Sequence, residues 1–361
     1  MSAAQPSPPM ARRPHPKFPR GARARSARQP VSRPADPPGD VPSLRYASSY
    51  HAPVLAREVV DALVTDPTGV YVDGTLGGGG HTAALLDALA PEGRVIGIDR
   101  DPEALAVASA RLAEANAAGR FLPLRGSFAE MEALLKDAGI ADVDGVLLDL
   151  GVSSHQLDEA TRGFAFSVAG PLDMRMDPAA KTTAADLVNT LDEWALADIL
   201  YLYGEEPRSR PIAREVVRRR PLETTDALAD AVRAVVPMRE QTKALARVFQ
   251  ALRIAVNGEM EALEAALEAS LCVLKPGGRL AVIAYHSLED RRVKHFLRYG
   301  NLAGTPEKDF YGRLLTPWTL LTKKAIEASE EEVAANPRAR SARLRIAEKT
   351  PAHDPPRRRD P

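Results

Sequence analysis

Cysteine is almost absent from this 361-residue sequence, and that scarcity excludes two kinds of site. Cys272 stands alone, so the chain has neither an internal disulfide nor a cysteine-based zinc cluster. No run of about 18 apolar residues occurs, so no membrane span is predicted. The basic N-terminus lacks the apolar core of a secretory signal. We therefore expect a cytoplasmic protein with no membrane partner.

The net charge of zero conceals two basic ends. Residues 1–50 carry nine Lys or Arg and two Asp, a net charge of +7, and residues 337–361 carry a net charge of +5. The acidic middle therefore has a net charge of −12. Basic ends attract polyanions such as RNA, DNA or anionic membranes, although a charged tail can also be merely solvated.

Proline separates the ends from the globular part. Residues 1–45 hold eleven of the thirty prolines, and we expect this segment to be disordered because it has little to bury. Residues 350–361 read as a second disordered tail. The length between them suggests about two domains.

Strands and helices alternate four times after residue 46. Apolar strands are predicted at 69–73, 94–99, 121–124 and 143–149, each followed or preceded by a helical pattern. The helices are predicted at 55–63, 82–89, 102–118 and 131–138. This alternation indicates an α/β fold with a doubly wound parallel sheet.

The pattern becomes helical between residues 154 and 260. Helices are predicted at 184–203, 211–219, 225–236 and 242–255, so we expect a helical domain inserted into the sheet domain, which comprises 46–153 and 261–349. After a further apolar helical stripe from Met260 to Leu274, the sheet resumes with a strand at 279–284. An antiparallel pair at 320–326 and 342–347 is expected to complete it.

Polar or glycine-rich segments follow the predicted strands, where a parallel sheet gathers its ligands. The loop from Gly74 to Gly80 has no Gly-x-Gly-x-x-Gly triplet and no Walker lysine, so a pyrophosphate ligand is disfavoured. Taken alone, this loop is equally well a flexible turn. Asp99 is placed to accept ribose hydroxyls, since Asp101 is the better cap for the next helix. Phe128 is expected either to stack on adenine or to pack in the core, and Asp149 ends the fourth strand.

Several strings, in order over residues 51–349, resemble the bacterial small-subunit (16S) ribosomal RNA cytosine-N4 methyltransferase H family. The two most specific are Pro171–Pro178 and His286–Arg291. The others are Asp73–His81, Ile98–Pro102, Leu147–Ser154, Gly163-Phe164, Tyr203–Glu206 and Asn336–Ser341.

This resemblance implies an S-adenosylmethionine-dependent enzyme with a Rossmann-like sheet and an inserted helical domain that recognises the substrate. It implies methylation of the exocyclic N4 of a cytosine near the decoding centre, with ribosomal RNA in the small subunit as partner. Carried over by position, Gly79, Gly80 and His81 lie against the methionine end of the cofactor. Asp99 holds the ribose, Phe128 lies by the adenine, and Asp149 and Gln156 complete the pocket. Without the family, His81 would be expected to face solvent at a helix start.

Two residues are candidates for catalysis. The cytosine amine is a poor nucleophile, and a carboxylate beside it would localise its lone pair and help to remove its proton. We assign this role to Asp149, which alternatively binds only the amino group of the cofactor. His286 is placed either in the base pocket or as a helix cap. The charged loop of Asp173, Arg175 and Asp177 either closes on substrate or forms a structural ion pair, and the histidines offer no metal cluster.

Two arginine clusters are dense enough to grip RNA phosphates, unless they are simply solvated: residues 208–220 and 338–345. The sequence is compatible with a monomer or a homodimer. Two other functions stay open at this point. An NAD-type dehydrogenase lacks support because the dinucleotide glycine triplet is missing, and a non-catalytic RNA- or membrane-associated protein would not need the acids at the strand ends.

Overall fold

The computed structural model describes residues 45–46 and 53–351, except the side chains of 154 and 155. The predicted tails, 1–45 and 350–361, lie outside the described residues but for residues 45, 350 and 351. None of the helices in the described part of the chain combines the length and apolarity needed to cross a membrane.

Seven strands form one sheet in the order β3-β2-β1-β4-β5-β7-β6. Strands β1 to β5 are parallel, whereas β7 runs antiparallel between β5 and β6. This topology confirms the predicted doubly wound, Rossmann-like α/β fold. The strands are β1 (Val70–Asp73), β2 (Arg94–Asp99), β3 (Phe121–Arg125), β4 (Val143–Asp149), β5 (Leu274–Ala284), β6 (Trp318–Leu320) and β7 (Arg343–Lys349).

Strand order reverses between β1 and β4, and this reversal positions the site. From β1 the chain continues outward to β2 and β3 on one side, and from β4 to β5 on the other. In a doubly wound sheet the helices that follow these two strands lie on opposite faces of the sheet. A crevice therefore opens at the carboxyl ends of β1 and β4. Asp73 and Asp149 end these two strands, and Asp99 ends neighbouring β2.

The helices of the first half follow the predicted alternation with two shifts. Helix α2 begins at Gly80, two residues before the predicted start, and the predicted helix 102–118 is broken at Leu112. Asp101 caps the first of those two pieces, since its carboxylate accepts from the Glu103 amide. The helices are α1 (Ala56–Leu63), α2 (Gly80–Ala88), α3 (Pro102–Arg111), α4 (Ala113–Ala117) and α5 (Met131–Asp137).

Between β4 and β5 the chain is helical, and most of these helices pack around their own apolar cluster, which includes Leu200, Val216 and Val248. The last of them (Glu259–Val273) packs instead against the sheet through Met260, Leu263 and Leu267. The predicted helix 184–203 is two helices, because the Asp192 carboxylate caps a new one by accepting from the Trp194 and Ala195 amides. These helices are α6 (Ser154–Asp158), α7 (Ala184–Thr190), α8 (Glu193–Leu202), α9 (Ser209–Arg219), α10 (Thr225–Val235), α11 (Gln241–Asn257) and α12 (Glu259–Val273).

The last segment closes the sheet. Strand β5 begins at Leu274, five residues earlier than predicted, and helix α13 (Ser287–Tyr299) follows it. An antiparallel pair is present, as predicted, but the first predicted strand, 320–326, is wrong. Strand β6 ends at Leu320, and Ile326 pairs with Leu344 only as an isolated bridge. Helix α14 (Glu330–Ala335) and the 3₁₀ helix Pro337–Ser341 lead into β7.

We expect Leu147→Ala to destabilise the protein by about 2–5 kcal/mol, because Leu147 is fully buried in central strand β4 and its truncation leaves a cavity. Leu122→Ala, at a position 39% exposed in β3, is the matched control and should cost under about 1 kcal/mol. Urea unfolding measures both free energies. Equal losses in the two variants would contradict the central position of β4 in the core.

Candidate active site

One cavity of about 350 Å³ opens at the carboxyl edge of the sheet. Six of the predicted site residues line this cavity: Gly80, His81, Asp99, Phe128, Asp149 and Gln156. Its volume falls within the roughly 300–1,000 Å³ typical of small-molecule sites. The structure thus brings most of the predicted cofactor residues to one place.

The glycine loop forms one wall and is fixed by its backbone. Gly77 has a positive φ of 49°, and its amide donates to the Asp99 carboxylate at 2.8 Å. A Cβ added there would find only the Thr75 carbonyl oxygen, at 3.9 Å, so a ligand can approach the main chain closely. Gly79 has a different position: it precedes α2 with φ of 74° and faces Ala108 and Leu112, outside the lining that the described residues form.

His81 is buried in the first turn of α2, only 4% exposed, so the expectation of a solvent-facing histidine is wrong. Nε2 of the ring lies 2.9 Å from the Val54 carbonyl oxygen, and Nδ1 lies 3.5 Å from Oδ2 of Asp149. The ring therefore connects the segment before α1 to the end of β4.

Asp99 presents a carboxylate with an unusual proton affinity. Burial raises its pKa to about 6, although the amides of Asp101 and Gly77 donate to it and favour the ionised form. Asp101 makes the helix cap, as expected, so Asp99 is available to a ligand. A carboxylate here suits a diol, which offers two hydroxyl donors.

Asp149 is held at the other side of the cavity. Its Oδ1 accepts a 2.9 Å hydrogen bond from the Tyr285 hydroxyl, and its amide donates to the Thr75 hydroxyl at 2.7 Å. Burial, together with the Asp149 charge, raises the pKa of Tyr285 well above its ordinary value. The phenol therefore stays protonated and remains a donor at neutral pH.

The far end of the cavity combines an aromatic ring with a cation. Phe128 is half-buried at the start of a short 3₁₀ helix, and the Arg100 guanidinium lies 5.7 Å from its ring centroid. Both line the cavity beside Gly126. Phe128 also contacts the core, so the two predicted roles are compatible in one position.

Gln156 connects the inserted helices to the sheet. It is buried, its side-chain amide donates to Oδ2 of Asp101 at 3.4 Å, and its carbonyl oxygen accepts from the Ser153 amide. Arg162 donates to the same Asp101 oxygen at 3.1 Å and to the carbonyl of Met176 at 3.0 Å. These contacts fix the rim of the cavity on the side of the insertion.

His286 lies outside the lining that the described residues form. It caps α13, with Nδ1 accepting from the Glu289 amide at 3.4 Å, which matches the capping alternative. Its Nε2 lies 3.0 Å from a Glu289 carboxylate oxygen. Ligand atoms of Glu259, His286 and Glu289 lie within 4.8 Å of one another, a grouping that sequence reasoning did not find. Arg253 makes a two-pronged ion pair with Glu259 there, so the cluster already contains its own cation.

The charged loop after residue 170 is organised internally. Arg175 donates to both oxygens of Asp173, and to the carbonyls of Pro178 and Ala180. This geometry matches the structural ion-pair alternative. Met176 from the same loop lines the cavity, and Asn257 anchors it by accepting from the Met176 amide at 2.8 Å.

The first arginine cluster is largely neutralised. Arg208 pairs with Glu240, Arg214 with Glu193, and both Arg218 and Arg219 with Glu215. The remaining two residues have partners of another kind: Arg210 lies over the Trp194 ring, and Arg220 donates to backbone carbonyls.

Among the lining residues that were not singled out from the sequence as cofactor-binding or catalytic residues, five have side chains that bear on the site. Tyr285 precedes the His286–Arg291 string, and Arg338 and Ser341 fall within the Asn336–Ser341 string, so the motifs pointed near them. Thr75 lies inside the glycine loop. Arg253 carries no local signal because only the tertiary fold brings it to the cavity. All five line the cavity: Thr75, Arg253, Tyr285, Arg338 and Ser341.

Comparison with known proteins places the chain in a family. Residues 48–350 match the family model described as the MraW methylase family. A ribosomal RNA small subunit methyltransferase H of Chlorobium luteolum is 50% identical over 324 residues, covering 85% of this chain and 98% of that protein. The protein of the same name from Bacteroides fragilis is 47% identical, covering 84% and 98%.

A crystal structure of a putative rRNA methylase from Clostridium thermocellum aligns with 82% of this chain and 93% of its own, at 15% identity and a TM-score of 0.38. The family match extends over most of the sequence and includes every strand described above. The chain therefore belongs to the MraW methylase family of S-adenosylmethionine-dependent methyltransferases.

Proposed function

We propose that this protein transfers a methyl group from S-adenosylmethionine to the exocyclic N4 of a cytosine in small-subunit (16S) ribosomal RNA. As the family resemblance implies, we propose a target near the decoding centre. The observation that carries the proposal is the presence of Asp99 and Asp149 in one cavity, at the strand-order reversal of a doubly wound sheet. The relatives named ribosomal RNA small subunit methyltransferase H support the substrate.

The residues of the cavity fit the proposed cofactor. Asp99 offers a carboxylate to the ribose diol, Phe128 offers an aromatic face to the adenine, and the open main chain at Gly77 admits close approach. Gly80, His81, Asp149 and Gln156 would surround the methionine end. Gly79 would act through the backbone by setting the start of α2. When bound, S-adenosylmethionine supplies a methyl group already activated on a sulfonium sulfur.

The protein chiefly needs to align the amine with that methyl group. Correct alignment of two reacting groups can supply roughly 7–11 kcal/mol of the barrier. We assign to Asp149 the role of accepting a hydrogen bond from the cytosine amine, which localises the nitrogen lone pair and later assists proton removal. Tyr285 and Thr75 orient Asp149 through its carboxylate and its amide. His286 would act from outside the cavity, as the cap of α13.

We further propose that residues 154–260 form a substrate-recognition domain on a sheet domain made of 46–153 and 261–349. The target base must be unstacked to enter the cavity, and the insertion supplies part of its rim through Gln156 and Met176. The protein would act in the cytoplasm on the small ribosomal subunit, as a monomer or a homodimer. The basic ends of the chain would add sequence-independent RNA affinity.

A methyl-transfer assay tests the proposal directly. Protein, radiolabelled S-adenosylmethionine and small ribosomal subunits from a strain lacking this activity are incubated, and label in N4-methylcytidine is quantified after nuclease digestion. We expect label in that nucleoside alone, and comparison with naked RNA shows whether assembly is required. Label in another nucleoside, or none with either substrate, would contradict the proposed function.

Cofactor affinity should fall as the pH drops below about 6, because protonation of Asp99 removes the charged acceptor for the ribose. Well below that pKa, each further pH unit should weaken binding by up to about tenfold. Isothermal titration calorimetry between pH 5 and 8 measures the effect. Asp99→Asn should weaken binding about tenfold or more at pH 8 and flatten the profile. The exposed Asp137→Asn is the matched control, and a profile that survives in Asp99→Asn would contradict the assignment.

Asp149→Asn should lower kcat by about 10²- to 10⁴-fold while the cofactor Kd changes little, because the amide cannot accept the amine proton. Single-turnover methyl transfer and calorimetry separate the two quantities. A large rise in Kd with a normal single-turnover rate would instead assign Asp149 to the cofactor's amino group. Near-normal turnover with unchanged Kd in both Asp149→Asn and Asp149→Ala would remove Asp149 from the mechanism.

A further inference from the structure

A short C-terminal segment reaches the cavity from outside the insertion. The 3₁₀ helix Pro337–Ser341 is capped by Asn336, whose side-chain oxygen accepts from the Arg338 amide at 3.2 Å. Ala339 is fully buried and anchors the helix against the sheet domain. Arg338 and Ser341 flank that anchor, and both line the cavity.

Arg338 meets a residue 180 positions earlier in the chain. Its Nη2 donates to Oδ1 of Asp158 at 2.7 Å. Asp158 ends α6, directly after Gln156 and Leu157, which line the cavity from the insertion. The ion pair therefore bridges two segments of the cavity rim, one from the insertion and one from the C-terminal segment.

This ion pair is easily exchanged. The Arg338 side chain is 40% exposed and the Asp158 side chain 69%, so water screens their attraction and holding the pair gains little. By contrast, Arg345 in the same cluster is largely buried and donates to both oxygens of Asp290. An incoming anion can displace Asp158 from Arg338, whereas it cannot readily displace Asp290 from Arg345.

The partner chemistry follows from the guanidinium. A carboxylate and a phosphate present similar oxygen pairs to an arginine, so Asp158 occupies the place that a phosphodiester would take. Ser341 adds a hydroxyl donor on the same wall. A flipped nucleotide carries a phosphate on each side of its sugar, and these remain near the mouth when the base is inside.

We infer that Arg338 binds a backbone phosphate next to the target nucleotide and that Asp158 holds this arginine at the cavity rim until RNA replaces it. This inference rests on the proposed function and specifies how its RNA substrate is held. Arg338 is then a substrate-binding residue, and Asp158 is a competitor that RNA must displace. A purely structural ion pair would behave differently, because loss of either partner would then harm the protein in the same direction.

The test compares Arg338→Ala, Asp158→Asn and the control Arg340→Ala. Arg340 is an exposed arginine on the same 3₁₀ helix, but it lies outside the lining that the described residues form. Fluorescence anisotropy measures binding of a short RNA containing the target segment, without cofactor, at several salt concentrations. Methyl transfer on small subunits then gives kcat and KM, and calorimetry gives the cofactor Kd.

Opposite effects are expected from the two partners. Arg338→Ala should weaken RNA binding and raise KM about tenfold, and it should reduce the salt slope by about one, with cofactor Kd unchanged. Asp158→Asn should tighten RNA binding about two- to fivefold, because the competing charge is gone. Arg338→Lys should retain most of the salt dependence of RNA binding, since the positive charge is kept. Arg340→Ala should behave like the wild type.

Two results would overturn the inference. RNA binding by Arg338→Ala with wild-type affinity and salt slope would remove the phosphate contact, and weaker RNA binding in Asp158→Asn would indicate a structural pair. If Arg338→Ala folds poorly, RNA binding by Asp158→Asn still shows whether Asp158 competes with RNA for Arg338 or is only a structural partner of it. The transfer assay with the wild-type protein distinguishes failure of this inference from failure of the proposed function. If the wild type leaves no label in RNA, the proposed function is rejected. If the wild type transfers normally and Arg338→Ala binds RNA as the wild type does, only this inference is rejected.

Discussion

Close parallel pairing of β1 with β4 is the constraint on which the site depends. Gly145 leaves room beside this pairing for two side chains, since a Cβ there would lie 2.8 Å from the Tyr71 ring and 3.0 Å from Leu63. The pairing aligns Tyr71 with Gly145 and Asp73 with Leu147, so both strands end at one edge. The crevice, the glycine loop and Asp149 all follow from this register.

Two carboxylates at this edge, those of Asp73 and Asp99, have pKa values that burial raises. Burial raises the pKa of Asp73, which is fully buried, while the nearby His81 and the Thr82 hydroxyl oppose that shift. The Asp73 carboxylate accepts from the Thr75 amide and the Thr82 hydroxyl and so fixes the loop and α2, whereas Asp99 and Asp149 line the cavity. Local hydrogen bonds from the amides of Gly77 and Asp101 keep Asp99 usable as an acceptor near neutral pH.

Local patterns predicted strands β1 to β4 and placed Asp99 at the end of one of them, because apolar runs and helix caps act over a few residues. The buried position of His81 depends on contacts with Val54 and Asp149, which are distant in the sequence, so no local pattern indicated it. The arginines between residues 208 and 220 have the sequence pattern of an RNA surface, but Glu193, Glu215 and Glu240 form ion pairs with several of them. The pairing of Arg338 with Asp158 depends on tertiary structure over 180 residues and has no local signal.

Asp101 shows how the cavity and the insertion are coupled. Its backbone amide donates to Asp99, its Oδ1 caps α3, and its Oδ2 receives both Gln156 and Arg162. Arg162 extends the connection to the Met176 carbonyl, and Asn257 fixes the same backbone from α11. A continuous set of polar contacts thus connects the Asp99 segment to the rim of the cavity. Because those contacts are partly buried, they hold the segment after β4 against the carboxyl edge of the sheet.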